Sequence, residues 1–261
     1  MITIKSPREI ALMARAGHIV ADVLALVRSR AVPGVSTWQL DLVAEEFIRS
    51  HEGATPSFKG LYGYPATLCT SINGEVVHGI PSKKRVLAAG DIVSVDVGAC
   101  VGGLHADGAV TATVGEVSAE ARKLLETTER ALAAGIAAAR AEGHVGDIGN
   151  AVQLVAEAEG YGVVRELVGH GIGTQFHEEP QIPNYGAPHR GPRLLAGMTV
   201  AIEPMINLGR PEVRTLPDKW TVVTVDGSLS AHFENTVLIT ENGARILTVP
   251  TPAAAAHPAG A

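Results

Sequence analysis

The stretch "SVDVGACVGGLHADGAV", residues 94–110, decides how this chain is read. Up to Gly98 the residues alternate with period 2: Val93, Val95 and Val97 face one way, Ser94 and Asp96 the other. The Gly-rich "GACVGGL" reads as a hairpin connection and "ADGAVTATV" (106–114) as the returning strand. Asp96 and Asp107 thus sit inside segments that otherwise read as buried strand. A carboxylate in such a place is costly unless something positive meets it.

Outward from this hairpin the elements fall into an order. Ser6-Pro7-Arg8-Glu9 has the pattern of a capping box with Pro at the first helical position. Apolar residues recur at helical spacing from Ile10 to Val27, until Pro33-Gly34 stops them. Ser36-Thr37-Trp38-Gln39 opens a second helix through Leu40, Val43 and Phe47, ending near Gly53. "TLCTSI" (67–72), "EVVHGIP" (75–81) and "DIVSVDVGA" (91–99) read as strands. The order then begins again. An Ala-rich helix spans 118–142, and a further helix with Asp147 as N-cap ends near Gly160. Strand-like "GVVRELV" (162–168), "TVAIEPMI" (199–206), "WTVVTVD" (220–226) and "HFENTVLIT" (232–240) follow, with "PNYGAPHRGPRL" (183–194) as a long loop. Helices followed by strands, twice, imply two similar αβ halves, about 1–115 and 116–249, with a site where their sheets meet. The Ala/Pro-rich 250–261 reads as a loose tail.

Composition narrows the class. The chain has 261 residues, 46% of them hydrophobic, which is enough for a substantial core. Acidic residues outnumber basic ones 27 to 21, and no dense Lys/Arg run suggests DNA or RNA as a partner. Cys69 and Cys100 do not make a disulfide framework. "MITIKSPREI" is no signal peptide, and the apolar "ALAAGIAAA" (131–139) is too short to span a bilayer. The expectation is a soluble, cytoplasmic protein.

Each half places carboxylates on strands: Asp96 and Asp107 in the first, Glu203 and Glu234 in the second. If the halves face each other, four anions converge, and a pair of divalent metals would neutralise them. Oxygen ligands plus one imidazole suit Mn, Fe(II), Co or Zn better than a thiolate site would. The imidazole candidates are His170 and His177 in "VGHGIGTQFHEEP". Taken singly, each residue has a plainer reading. An Asp near a strand end is usually a turn or cap residue. Glu203 before Pro204 fits a strand-end carboxylate paired with an arginine, and His78 fits a core histidine. The joint occurrence carries the metal reading.

Together "INGEVVHGIP", "DIVSVDVGA", "LHADGA", "LVGHGIGTQFHEEP", "GMTVAIEPMI" and "SAHFENTVLIT" resemble the type I methionine aminopeptidases, the bacterial short form without an N-terminal extension, M24-like, over about residues 3–249. The resemblance implies the pita-bread α/β (α+β) fold: one catalytic domain over 1–249, its two pseudo-symmetric halves each with helices backing a curved antiparallel sheet. It implies Asp96, Asp107, His170, Glu203 and Glu234 as ligands of two divalent metal ions (Mn, Fe(II), Co or Zn). Asp107 and Glu234 would bridge them, Asp96 would complete one shell, and His170 and Glu203 the other. The implied reaction is hydrolytic removal of the initiator methionine, best before a small second residue. A metal-bridging water or hydroxide would attack the scissile carbonyl. Glu203 would also shuttle the proton, His177 would hydrogen-bond the carbonyl, and His78 would sit near the scissile amide. Tyr64, Cys69, Phe176 and Trp220 would form the methionine pocket, with Phe58 and Leu61 at its rim. The family also allows one monovalent cation near Asn73 and Ser230. Implied partners are nascent polypeptide N-termini and the ribosome surface, with no membrane, and the chain is expected to be a monomer.

Five positions depart from the family pattern. Phe58 and Leu61 stand where Cys and Tyr are common. Gly74 displaces the usual glutamate to Glu75. Gly108 stands where a hydroxyl residue or Ala is common, and Asn235 where His is expected. His105 shares a strand face with Asp107 but is not a ligand in the family pattern. His18, His51, His144, His189, His232 and His257 have no site context. Two other readings compete. One is a prolidase or aminopeptidase P-like dinuclear peptidase, whose members usually carry a large N-terminal domain. The other is a metal-free binding module of the same fold, against which the presence of all five ligand types argues.

Overall fold

Two capped helices open the chain. In α1 (Pro7–Arg30) the Glu9 carboxylate accepts the Ser6 N–H and the Ser6 hydroxyl accepts the Glu9 N–H. Ser36 and Gln39 repeat the arrangement at α2 (Thr37–Arg49). There follow β1 (Ala54–Pro56), a 3₁₀ turn (Leu61–Gly63), β2 (Leu68–Ile72), β3 (Glu75–Val77), β4 (Ile92–Val101) and β5 (Leu104–Thr113). The second half supplies α3 (Ala119–Ala138), α4 (Val145–Ala158), β6 (Gly162–Val163), β7 (Gly169–Gly171), β8 (Glu178–Ile182) and β9 (Thr199–Ile202). It closes with β10 (Met205–Asn207), β11 (Val213–Thr215), β12 (Val222–Thr224), β13 (Ser230–His232), β14 (Glu234–Thr240) and β15 (Gly243–Ile246). This computed structural model describes residues 2–251; the remainder of the tail, with His257, lies outside the described residues.

Several expected elements are shorter or differently capped. "EVVHGIP" is strand only through Val77, because His78 turns into the left-handed region at φ 61°. "GVVRELV" keeps two strand residues and "WTVVTVD" three. "TVAIEPMI" divides at Glu203-Pro204, where the proline has no N–H for a ladder. "HFENTVLIT" divides at Phe233. Asp147 is not the N-cap of α4. His144 holds that place, and Asp147, one turn in, accepts the His144 N–H at 2.8 Å. The helix expected over 118–142 stops at Ala138, and the chain then folds back so that Glu142 N–H donates to the Leu194 carbonyl.

Among the described residues nine antiparallel strands form the main sheet in the order β1-β4-β5-β14-β9-β7-β8, with β2 on β4 and β15 on β14. Helices α1 and α2 cover one half. Val20, Val23, Leu40 and Ile48 bury there against Val93, Val95 and Val97. Helices α3 and α4 cover the other half, with Leu124, Ile148, Val200, Ile202 and Val237 in one cluster. Each such fully buried aliphatic side chain stabilises by about 1.5–3 kcal/mol. Among the described residues α1 alone is long and apolar enough to cross a membrane by length and composition. Its apolar stripe packs on β4 and β5 instead, with Met13, Ala16, Val20, Val23 and Val27 fully buried. Two helix pairs backing the two halves of one curved antiparallel sheet make the pita-bread fold.

Candidate metal centre

Register alone brings most of the acidic residues together. Asp96 lies opposite Ala109, and Ala109 opposite Glu234. Asp107 precedes Ala109 by two residues and so shares its face. Farther along the sheet Thr236 lies opposite Ala201, and Ala201 opposite His170. One sheet face therefore carries Asp96, Asp107, Glu234 and His170, with Ala109, Ala201 and Thr236 between them. Glu203 arrives from the break between β9 and β10.

The convergence is close. His170 Nε2 is 3.6 Å from Glu203 Oε1 and 4.0 Å from Asp107 Oδ2. One donor atom each of Asp107, His170 and Glu234 lies within 4.8 Å of the others. The carriers are pinned. The Thr236 hydroxyl accepts the Asp107 N–H and donates to the Asp107 carbonyl, both at 2.9 Å. Buried Asn184 donates from Nδ2 to the Glu203 carbonyl at 3.0 Å. His170 Nδ1 lies 2.8 Å from the Gly171 carbonyl, so the ring N–H belongs there and the Nε2 lone pair faces the carboxylates.

Electrostatics follow from this crowding. Burial raises the Asp96 carboxyl to about 7. Burial, and then the neighbouring carboxylates, push Asp107, Glu203 and Glu234 well above the ordinary range. Burial, and then His177, lower His170 to about 4, so its ring is neutral. With all four carboxylates charged, acceptors would face acceptors, and buried Asp96 Oδ1 and Glu234 Oε1 have no hydrogen-bond partner among the described residues. Four carboxylates and a neutral imidazole lone pair are the donor set of hard divalent cations. Cys69 is close by, but burial, and then Asp96, push its thiol up, and it stays a neutral wall residue. These residues fit a divalent metal centre.

A cavity of about 210 Å³ stands over the cluster, walled by Phe58, Tyr64, Cys69, Phe176 and Trp220. Tyr64 and Trp220 meet edge-on at 5.0 Å, as do Phe58 and Phe176 at 5.3 Å. The Tyr64 hydroxyl is fixed by the carbonyls of Leu68 (2.9 Å) and Gly79 (3.1 Å). Phe58 is buried in the wall rather than at the rim, because its ring packs on Phe176; Leu61 is partly exposed at the edge. His78 and His177 border the cavity, and the His177 ring packs 4.4 Å from His170 and 4.8 Å from Phe176. Burial, and then His177, lower His78 to about 4.

Two site residues escaped sequence reasoning. Tyr62 stacks on His177 at 5.8 Å between ring centroids, from a left-handed backbone position at the cavity mouth. A tyrosine flanked by Gly60 and Gly63 was the available signal. His232, expected to have no site context, lies with Nε2 4.0 Å from Glu203 Oε2, because β13 brings it beside the β9–β10 break. His105 stays outside the cluster, its Nδ1 2.9 Å from the Ser57 hydroxyl. His18 and His51 meet the backbone carbonyls of Val249 and Phe47. His144 and His189 gather around Asp147 at the surface, where both Asp147 oxygens accept their backbone N–H groups.

The departures have structural accounts. Glu75 accepts the Ile72 N–H and pairs with Arg85, steadying the turn before His78. Gly74 packs against Thr224 and Ser228, where a side chain would be crowded. Gly108 donates its N–H to Asp107 Oδ1 and lets Val20 of α1 approach; a Cβ there would lie 3.0 Å from Val20 Cγ1. Asn235 points to the opposite sheet face and donates to Thr248. Ser230 donates its N–H to the Asn73 carbonyl, and the Asn73 side chain is held by Asp91 and the Ile92 N–H.

Residues 11–241 match metallopeptidase family M24. Fold, donor set and family together define a metal-dependent hydrolase. A methionine aminopeptidase of Clostridium perfringens is 53% identical over 249 residues, covering 95% of this chain and 99% of that one. The crystal structure of a methionine aminopeptidase from Thermotoga maritima superposes with a TM-score of 0.93 at 48% identity, covering 95% of this chain and 99% of that one. A prolidase from Pyrococcus furiosus, 24% identical with a TM-score of 0.76, shares the fold; the match covers 95% of this chain and 66% of that one. The chain belongs to the methionine aminopeptidases of metallopeptidase family M24.

Proposed function

We propose that this protein removes the N-terminal methionine from nascent chains and peptides, preferring a small second residue, with two divalent ions held by Asp96, Asp107, His170, Glu203 and Glu234. The observation that carries the reading is a cluster of buried, mutually repelling carboxylates on the floor of a small aromatic cavity. Such a cavity suits one apolar, polarizable side chain, and Cys69 and the ring edges of Tyr64, Phe176 and Trp220 suit a thioether. When bound, the ions would supply Lewis acidity toward the scissile carbonyl and lower the pKa of attacking water. The aromatic walls hold the methionine side chain and exclude water behind it. His177, neutral because burial lowers it, donates a hydrogen bond to the scissile carbonyl oxygen. His78 borders the leaving amide, and Glu203 moves a proton toward the leaving amine. A monovalent cation near Asn73 and Ser230 would use the second lone pairs of oxygens already hydrogen-bonded there. The high identity to bacterial methionine aminopeptidases supports action on newly made proteins in the cytoplasm. Ribosome docking would then use the surface of the catalytic domain, and the chain would act as a monomer.

The test offers purified protein Met-Ala-Ser and Gly-Pro-Ala, with and without chelator, and then restores Mn, Fe(II), Co or Zn. Methionine release from the first peptide, lost on chelation and regained with metal, is expected. Cleavage of the second alone would move the assignment to a prolidase-type activity, and no turnover with any metal would move it to a binding module.

A further inference from the structure

Among the described residues His232 is the imidazole of the site to which the sequence reading gave no role. It is 1% exposed, and neither ring nitrogen has a hydrogen-bond partner among the described residues. A buried polar group without a partner is costly, and in a native fold it marks a place where a partner arrives or a neighbour moves. Its backbone is fixed. The His232 N–H donates to the Thr111 hydroxyl at 2.9 Å, and that hydroxyl donates to the His232 carbonyl at 2.9 Å. Pairing of β13 with β10 sets His232 opposite Met205, two residues after Glu203. The ring therefore stands beside the Glu203 carboxylate by register.

Glu203 thus lies between two imidazoles. Its Oε1 is 3.6 Å from His170 Nε2 and its Oε2 is 4.0 Å from His232 Nε2. The two rings cannot play the same part. The His170 ring N–H is committed to the Gly171 carbonyl, so His170 presents a lone pair. His232 has no such commitment, and its ring N–H is free to point at Oε2. Asn184 holds the Glu203 backbone from the other side.

We propose that His232 is a positioning residue for Glu203. It donates from its ring N–H to Oε2 when divalent ions occupy the centre, and so fixes the orientation in which this carboxylate serves them. Closing the gap to hydrogen-bond distance takes a shift of about 1 Å. The proposal rests on the metallopeptidase reading of the site. Outer partners of this kind typically govern metal affinity by about 10–100-fold.

The test titrates Mn(II) by calorimetry into chelator-treated full-length protein, comparing wild type with His232→Ala, His232→Gln and His232→Met. Removing the donor should weaken one of the two manganese equivalents by about 10–100-fold. It should also lower kcat on Met-Ala-Ser while leaving KM nearly unchanged. His232→Gln keeps an N–H donor and should recover both within a few fold. If His232→Ala fails to fold, the Gln and Met variants carry the comparison, since both fill the space and only Gln can donate. Wild-type manganese affinity in the Ala or Met variant would overturn the proposal. So would an unchanged kcat with KM altered according to the second residue of the peptide, which would make His232 a substrate contact. If the wild type released no methionine at all, the substrate reading would fall, and the manganese isotherms would still decide the role of His232.

Discussion

Asp96→Asn in metal-stripped protein should raise stability at pH 8, although it removes a proposed ligand. Asp96 is 8% exposed, shares its sheet face with Asp107 and Glu234, and leaves Oδ1 unpaired. Burial lifts its carboxyl from 3.8 to about 7. A folded carboxylate above its unfolded value binds more protons when folded, so its charge destabilises as pH rises from about 4 through about 7. At about 1.4 kcal/mol per unit, full ionisation costs about 4 kcal/mol. Asparagine carries no charge and avoids this cost, less whatever its own buried amide leaves unpaired. For a chain of this size that is an upper bound of about 8–16 °C in midpoint. Histidines act oppositely: His78 and His170 at about 4 and His232 at about 3 add stability as pH rises toward 6.5. Both proteins contain them, so they cancel, and the difference between variant and wild type reports the Asp96 charge together with the repulsion it adds at Asp107, Glu203 and Glu234. The assay is thermal unfolding after chelator dialysis from pH 4.5 to 8, repeated with saturating Mn(II). The variant's advantage should grow with pH and should reverse when manganese is added, because wild type gains binding energy the variant has lost. A metal-free wild type as stable as the variant at pH 8, or a gap that does not widen with pH, would refute the reasoning.

Other outcomes follow from the same geometry. Asp107→Ala removes the carboxylate that lies within 4.8 Å of donor atoms on both His170 and Glu234, and should abolish methionine release and reduce bound metal, measured by mass spectrometry of dialysed protein. Gly17→Ala places a Cβ against the Leu247 backbone carbonyl across α1; it should cost about 1–3 kcal/mol, read as a lower melting midpoint. Lys5→Met removes the cation from Glu178, which pairs with Lys5 at 2.6 Å with both side chains 5% exposed, but leaves the Thr3 hydroxyl and the Gln175 N–H on that carboxylate, and should destabilise by about 1–3 kcal/mol in urea unfolding. Burial raises the Glu178 carboxyl, but Lys5, Thr3 and the Gln175 N–H outweigh it and hold it below its usual value. The wild-type advantage should therefore be full above about pH 4.5 and shrink as pH falls below it. A constant gap between Lys5→Met and wild type from pH 7 to 3 would count against that pairing.

The helices were legible because their signals are local. Ser6 lies within one turn of Glu9, and Ser36 within one turn of Gln39, and capping needs nothing distant. The β4–β5 hairpin was legible because period-2 alternation and a glycine turn occur within one short segment. The expected long strands failed where a backbone constraint outweighed apolar composition, at left-handed His78 and at Pro204. Asp147 looked like a cap and is a third-position partner, because an Asp near a helix start serves either place.

The candidate site divides in the same way. That Asp96, Asp107, Glu203 and Glu234 need a common counter-charge could be argued from composition and alternation, since buried carboxylates are costly wherever they sit. Sequence by itself therefore carried the two-half architecture and the expectation that four strand carboxylates converge. Tertiary structure alone decided which face each donor takes, through Asp96–Ala109–Glu234 and Thr236–Ala201–His170 register across five strands. It also decided that His232 stands at Glu203 while His105 does not, and that Tyr62 covers His177. The physical reason is range. Caps and hairpins are set by neighbours in the chain, whereas strand partners distant in sequence, such as Ala109 with Glu234 and His170 with Ala201, meet only when the whole sheet is assembled.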